Sequence, residues 1–152
     1  MKKIIKTIIN VLLIIIIIIL ATYFLLRLLG KVSIYEVETG SMEDGIHAGD
    51  YILILSKESY HVGEIVTYKQ DEYFITHRVI RKEKDKLITK GDANNVEDEA
   101  INMGDVVGTV IYNGGILNIL IRYKFVIAGL FIAFYLLTSY IDTKIKAKIK
   151  KE

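Results

Sequence analysis

A long uncharged segment near the N-terminus restricts this chain more than any other feature. Ile8–Leu26 contains nineteen residues without a formal charge, including an unbroken isoleucine run at Ile14–Ile19. As a helix rising ~1.5 Å per residue, the segment is roughly 28 Å long, about the thickness of the hydrocarbon core of a bilayer. Because a backbone in lipid must satisfy its own hydrogen bonds, we predict a transmembrane helix here.

A cleaved signal peptide is the competing interpretation, since Lys2, Lys3 and Lys6 give the chain a basic start. However, the apolar stretch is longer than the ~7–15 residues usual for such a peptide. The following Arg27–Lys31 segment also offers no small-x-small cleavage site. We therefore expect the helix to be retained.

A second uncharged segment, Phe125–Ile141, has seventeen residues, near the short end of the ~17–25 residues that span a bilayer. A buried core helix is the alternative. The basic tail that follows favours a membrane span, because short lysine-rich segments stay on the cytoplasmic side. We expect both chain ends in the cytoplasm and the middle of the chain outside. The tail contains Lys144, Lys146, Lys148, Lys150 and Lys151.

Charge is distributed very unevenly along the chain. Formal charges sum to +4 over residues 1–30, −7 over residues 31–115 and +5 over residues 116–152, which together give the net charge of +2. The acidic middle would repel phosphates, so nucleic acid is not an expected partner. Because the chain has no Cys, disulfides, cysteine nucleophiles and Cys-based metal sites are excluded.

The acidic middle of the chain has the pattern of β structure. Five short runs rich in Ile, Val, Tyr, Phe and Thr are separated by Gly, Asn and Asp turn-formers. Together they predict a mainly β domain, a small twisted sheet or barrel flanked by an N-terminal and a C-terminal transmembrane helix. The runs are Tyr51–Leu55, Ile65–Tyr68, Tyr73–Ile80, Leu87–Thr89 and Val106–Tyr112.

A glycine-bounded serine lies between the first helix and these strands. In Glu38–Gly45, Ser41 follows Gly40 and precedes Met42, so the backbone can bend and leave the hydroxyl approachable, as a nucleophile requires. By itself the pattern fits an ordinary turn serine equally well. A serine nucleophile also needs a positioned base that takes its proton.

Three histidines are candidates for that base. His47 and His61 fall in turn-rich segments and are expected to be solvated surface residues. His77 lies inside a predicted strand, which would hold its imidazole more rigidly than a loop. A structural role for His77 is the alternative.

The loop Thr89–Glu99 is dense in carboxylates and amides. One of its carboxylates could orient the imidazole and stabilise the imidazolium, as the acid of a serine triad does. An acidic turn or a weak calcium loop is an equal alternative, although the spacing does not match an EF-hand. We expect no metal and no cofactor.

Five motifs in the same order resemble type I signal peptidases of the endoplasmic-reticulum and archaeal kind, a subtype also found in Gram-positive spore-forming bacteria. The resemblance covers about Thr39–Tyr112. The motifs are Gly40-Ser41-Met42-Glu43, Gly49-Asp50, Val62-Gly63-Glu64-Ile65-Val66, Thr76-His77-Arg78-Val79 and Lys90-Gly91-Asp92-Ala93-Asn94-Asn95.

This resemblance implies roles for individual residues. Ser41 matches the family's nucleophile, within a nucleophile and oxyanion loop of Gly40, Ser41 and Met42. His77 stands where the common bacterial enzymes carry lysine, which implies the Ser-His-Asp branch. Asp98 matches the triad acid, and Asp92 is a supporting residue or the alternative acid.

The resemblance also implies a membrane-bound serine endopeptidase that removes signal peptides from exported pre-proteins after small residues at the first and third positions before the cut. Its partners would be such pre-proteins, the lipid bilayer and the secretion translocon. Tyr51–Leu55 and Tyr73–Ile80 are candidate walls of the substrate cleft. The alternative is a non-catalytic β module that binds partners at the outer face.

The expected organisation is a multi-pass protein of the plasma membrane with an extracytoplasmic catalytic domain. Residues 1–7 are a cytoplasmic N-terminus, 8–29 a transmembrane helix, 30–115 the β-rich catalytic domain, 116–141 a second transmembrane helix with its core at 125–141, and 142–152 a basic cytoplasmic tail. One departure from the family is that Asp44-Gly45 replaces the usual proline after Ser-Met-Glu, which predicts a more mobile segment.

Overall fold

The computed structural model describes residues 2–149, and the chain divides into two compact units, residues 1–114 and 115–152. Of the predicted basic tail, Lys150 and Lys151 lie outside the described residues. The first unit contains α1 (Lys2–Leu28), β1 (Val32–Glu36), β2 (Tyr51–Leu55), β3 (Ile65–Gln70), β4 (Tyr73–Glu83), β5 (Lys86–Lys90), β6 (Ile101–Asn102), a 3-10 turn (Met103–Asp105) and β7 (Val106–Asn113). The second unit contains α2 (Gly115–Arg122) and α3 (Lys124–Ile149).

The seven strands form one antiparallel sheet in the order β1-β2-β7-β3-β4-β5-β6. The predicted mainly β fold with flanking apolar helices is confirmed, and all five predicted strands are present. Two further strands, β1 and β6, were not predicted. β1 lies at one end of the order and pairs with β2, and β6 is only two residues long.

The sheet curls, as the prediction of a twisted or barrel-like sheet requires. β1 and β4 are separated by three strands in the order, yet the ring of Tyr35 on β1 lies 4.7 Å from that of Phe74 on β4. A flat sheet would hold strands four positions apart at roughly 19 Å. The curl therefore brings the end of β1 close to the start of β4.

Two apolar clusters form the core of the sheet domain. Burial of these side chains removes apolar surface from water and supplies most of the driving force for folding. One cluster contains two residues of the serine loop, Met42 and Ile46, each only 1% exposed. The loop that carries Ser41 is thus anchored in the core. The clusters are Tyr60, Val66, Tyr68, Val79, Leu87 and Val106, and Val37, Met42, Ile46, Ile52 and Ile54.

Two helices are long and apolar enough to cross a membrane, over Thr7–Leu28 and Lys124–Ile141. Neither segment is buried inside the protein, so the alternative of a buried core helix for the second segment is wrong. The predicted second helix over 116–141 is in fact two helices, with Tyr123 between α2 and α3. The first helix ends at Leu28, one residue before the predicted boundary.

A glycine turn joins α1 directly to the sheet. Gly30 has a φ of +65°, and the Lys31 N–H donates to Leu26 O while the Gly30 N–H donates to Arg27 O, the pattern of a Schellman cap. The Lys31 carbonyl then accepts from the Ser56 N–H at 2.9 Å. No flexible linker separates the helix from the first strand.

Candidate active site

The serine loop is a tight, hydrogen-bonded turn. The Glu43 N–H donates to Gly40 O at 3.0 Å and the Ile46 N–H to Met42 O at 2.9 Å. With Met42 buried beneath it, Ser41 is held half-exposed at the surface. The resulting hydroxyl is both fixed in place and approachable.

His77 lies in the middle of β4, opposite Val66 of β3. Its side chain is nearly buried, and its Nε2 lies 3.0 Å from Ser41 Oγ. On the other side, Nδ1 lies 2.6 Å from Asp98 Oδ2. Because a carboxylate can only accept, the proton of a neutral imidazole belongs on Nδ1, which leaves Nε2 free to accept from the Ser41 hydroxyl.

Asp98 is fixed by two other donors. Its Oδ2 accepts from the Thr89 hydroxyl at 2.7 Å and from the Tyr68 hydroxyl at 3.2 Å, while its N–H donates to Thr89 O at 2.8 Å. Burial, with the nearby Asp98 charge, raises the pKa of Tyr68 to about 12, so the phenol remains a donor. The structure therefore joins Ser41, His77 and Asp98 in one hydrogen-bonded chain.

Asp92, the alternative acid, has a different partner. Its carboxylate makes a two-point contact with Arg78, at 2.8 Å from Nε and 2.6 Å from Nη2. The hydrogen bond from Arg78 lowers the pKa of Asp92, although partial burial opposes the shift. Arg78 also donates to Gly63 O. Asp92 thus links β4 to the loop that follows β5, and the carboxylate bonded to His77 is that of Asp98.

The same loop supports the serine turn from below. The Ala93 N–H donates to Ser41 O at 3.0 Å, and the Asp92 N–H donates to Met42 Sδ at 3.4 Å. A Cβ on Gly91 would lie 2.5 Å from Ser41 O, so the close approach of the two loops requires glycine. Gly91 therefore has a packing role that the sequence did not reveal.

The missing proline has a structural explanation. Asp44 has a φ of +79°, which proline cannot adopt because its ring fixes φ near −65°. The segment is held by the Gly45 N–H donating to Met42 O, and by Asn113 Nδ2 donating to Gly45 O at 2.9 Å. The structure thus places hydrogen bonds where the sequence predicts mobility.

A cleft of about 690 Å³ opens onto Ser41 and His77. Of the predicted walls, β4 contributes its first residues, whereas β2 is not among the lining residues and that part of the prediction is wrong. The opposite wall comes from the end of β1, which was not predicted as a strand. The lining residues include Tyr35–Thr39, Gln70–His77 and Asn94.

The other two histidines are not part of the hydrogen-bonded series of Ser41, His77 and Asp98. His47 Nδ1 is 2.6 Å from Glu43 Oε2 on the surface, and this hydrogen bond raises the pKa of His47. His61 is exposed. Within residues 2–149, no three His, Asp or Glu side chains are grouped to hold a metal ion.

Thr89 and Tyr68 are the site residues that the sequence did not identify. Both were recognised only as strand residues, and both are buried beneath Asp98. Each is the last of three consecutive buried residues in its strand, β3 or β5, and so resembles an ordinary core residue. No local signal marks a buried hydroxyl that faces a carboxylate nine or thirty residues away along the chain.

The fold and the site define a β-sheet peptidase domain with a serine, a histidine and an aspartate in hydrogen-bonded series. Residues 19–111 match the model of the Peptidase S24-like family, and the chain belongs to that family. The resemblance to type I signal peptidases of the endoplasmic-reticulum kind is confirmed by its curated relatives.

Among these relatives are signal peptidase complex catalytic subunits SEC11 from three fungi. The chain is 37% identical over 95 residues to that of Metarhizium acridum, 35% over 94 residues to that of Eremothecium gossypii and 38% over 93 residues to that of Candida tropicalis. The matched regions cover 51% of this chain and 55–56% of the relatives. The chain thus spans about half the length of the curated relatives it matches.

Proposed function

We propose that this chain is a membrane-bound serine endopeptidase that removes N-terminal signal peptides from exported pre-proteins. The hydrogen-bonded series from Ser41 Oγ through His77 to Asp98 is the observation that carries the proposal. The fungal relatives named as signal peptidase catalytic subunits support the substrate class. We expect cleavage after small residues at the first and third positions before the cut.

In the proposed mechanism, His77 Nε2 takes the Ser41 proton as Oγ attacks the scissile carbonyl. Asp98 holds the imidazole and stabilises its positive charge. The imidazolium then protonates the leaving amine, and water activated by His77 releases the acyl-enzyme. Backbone N–H groups of the Gly40–Met42 loop, including that of Ser41, would stabilise the oxyanion.

The proposed setting is the plasma membrane, crossed by the segments within 8–29 and 116–141. Residues 30–115 would lie outside the cytoplasm, and the basic ends 1–7 and 142–152 inside it. Two apolar helices support this arrangement, and the positive ends agree with it. Pre-proteins emerging from the translocon would then reach the cleft from the membrane surface.

The decisive experiment is cleavage of a reporter pre-protein in membranes by the wild type and by Ser41→Ala. Loss of the nucleophile should lower kcat by a factor of at least about 10⁴. Ser59→Ala is the matched control, because Ser59 is an exposed loop serine outside the cleft lining, and it should cleave normally. Equal cleavage by wild type and Ser41→Ala would reject the enzyme in favour of a non-catalytic module.

His77→Ala should abolish cleavage to a similar degree, whereas His61→Ala should leave it unchanged, because His61 lies on the surface. Rates are measured on the purified pre-protein. A His77→Ala rate equal to that of the wild type would overturn the assignment of the base.

A further inference from the structure

The cleft that contains Ser41 and His77 is lined by carboxylates on both sides. On the wall from the end of β1 these are Glu36 and Glu38, and on the β3–β4 hairpin they are Asp71 and Glu72. All four side chains are exposed. No ion pair is formed by any of them within the described residues, and no Lys or Arg lines the cleft.

Two exposed aromatic rings lie among these carboxylates. Tyr73 is 72% exposed and Phe74 is 47% exposed, and both line the cleft. Aromatic faces attract cationic side chains and also bind their aliphatic stems. Rings and carboxylates together form a surface suited to Lys or Arg side chains and unfavourable to Asp or Glu.

The spacing of these groups relates them to positions of an extended peptide. Along β4, Tyr73 is four residues from His77, or ~13 Å at ~3.3 Å per residue. Glu38 is three residues from Ser41, and the chain between them reaches at most ~10 Å. The four carboxylates lie three to six residues along the chain from Ser41 or His77. An extended substrate has the same rise per residue, so the carboxylates face positions about three to six residues from the scissile bond.

We propose that the cleft selects pre-proteins by charge, favouring Lys or Arg and disfavouring Asp or Glu about three to six residues from the cut. Glu36, Glu38, Asp71 and Glu72 are the specificity-determining residues. The proposal rests on the proposed peptidase function and adds a substrate preference to it. Its basis is the charge of this cleft rather than the small-residue rule at the first and third positions.

Cleavage of a matched reporter series tests the preference. Each reporter carries Lys, Gln or Glu at one position, either four to six residues before the cut or three to six residues after it. At low salt, kcat/KM should be roughly tenfold higher for Lys than for Glu at the responsive positions, because several partly screened charges act together. The ratio should fall as salt is added. A ratio of one at every position would overturn the proposal.

Variants show which carboxylates are responsible. Glu36→Gln with Glu38→Gln, and Asp71→Asn with Glu72→Gln, should each lower the Lys/Glu ratio, and the fourfold variant should bring it close to one. Asn suits position 71 because Asp71 has a φ of +53°. The control is Glu58→Gln with Asp85→Asn, which removes two exposed charges outside the cleft lining. A fourfold variant with the wild-type ratio would contradict the proposal.

Measuring peptide binding tests the charge preference independently of the proposed peptidase function. Fluorescent peptides carrying the same Lys or Glu substitutions are titrated against the Ser41→Ala protein in detergent, where no cleavage is needed. Tighter binding of the Lys peptide, lost in the fourfold variant, would support the charge preference even if no reporter were cleaved. Equal binding of both peptides, with normal cleavage by the wild type, would reject the preference and leave the peptidase assignment intact.

Discussion

At the scale of single residues, Asp98 is held more firmly than its loop position suggests. Thr89 and Tyr68 donate to the carboxylate oxygen that faces His77, and both are buried. They orient this oxygen before any substrate binds, as groups behind a catalytic side chain should. The third residue of the hydrogen-bonded series is thereby fixed by two strands rather than by its own loop.

Exchange of the two aspartates for asparagine should therefore have different effects. Asp98→Asn removes the charge that stabilises the His77 imidazolium, and kcat should fall by about 10⁴-fold. Asp92→Asn loses only the contact with Arg78, so kcat should fall by about tenfold or less. Cleavage rates of both variants are measured beside their melting temperatures. A larger catalytic loss in Asp92→Asn would assign the acid to Asp92.

Asp44 gives a second prediction at this scale. Asp44→Pro restores the residue usual in the family, yet it should lower the free energy of unfolding by about 3 kcal/mol, because φ must leave +79°. Asp44→Gly should stabilise by roughly 1 kcal/mol, since glycine adopts positive φ without steric cost. Thermal unfolding of both variants in detergent measures the effect. A more stable Asp44→Pro protein would show that the turn differs from the one described.

At the scale of elements, the Arg78–Asp92 pair links β4 to the loop that follows β5. The hydrogen bond from Arg78 lowers the pKa of Asp92 below its usual 3.8, so the folded state favours the ionised form. This stabilisation is fully present above about pH 3.8 and is lost as the pH falls through the lowered pKa. Because both side chains are partly exposed, the contribution should be below about 1 kcal/mol.

Melting temperatures of wild type and Asp92→Asn measure this effect at pH 6 and near pH 3. The wild type should be the more stable protein at pH 6, and the difference should shrink on acidification, since protonation removes the charge that the variant already lacks. Arg78→Gln is the control that removes the positive charge of the pair. Its difference in melting temperature from the wild type should also shrink on acidification. If the difference in melting temperature between wild type and Asp92→Asn is the same at both pH values, the ion pair is not its cause.

The elements differ in how well the sequence predicts them. Tyr51–Leu55 was predicted with its observed limits, because a short apolar run with adjacent turn-formers gives a strong local signal. β1 was missed because a strand that follows a membrane helix by three residues resembles a connection. β6 was missed because its two residues are defined by pairing with β5, a distant contact that no local pattern records.

The candidate site shows the same limit. Ser41 and His77 could be selected from local context and family resemblance, whereas the two aspartates remained alternatives. Arg78 separates them, because it occupies Asp92 at 2.6 Å and leaves Asp98 at 2.6 Å from His77. The distinction depends on which carboxylate contacts Arg78 and which contacts His77 in the folded sheet. The spacing of residues in the sequence does not reveal these contacts.

At the scale of the whole molecule, the charge distribution of +4, −7 and +5 along the chain predicts both ends inside the cell. The absence of Cys allows a direct test, because any introduced cysteine is the only thiol in the protein. Ser59→Cys should react with a membrane-impermeant maleimide in intact cells. Lys144→Cys should react only after the membrane is permeabilised. Labelling of Lys144→Cys in intact cells would contradict the proposed orientation.

The Schellman cap at Gly30 has a mechanical consequence for such an arrangement. With the Lys31 carbonyl bonded to the Ser56 N–H, α1 meets the sheet through a rigid joint rather than a tether. Tilt of the helix, which bilayers impose to match thickness, would therefore be transmitted to the sheet and would raise or lower Ser41 above the lipid. Bilayer thickness would then set the height above the membrane at which Ser41 cuts a signal peptide.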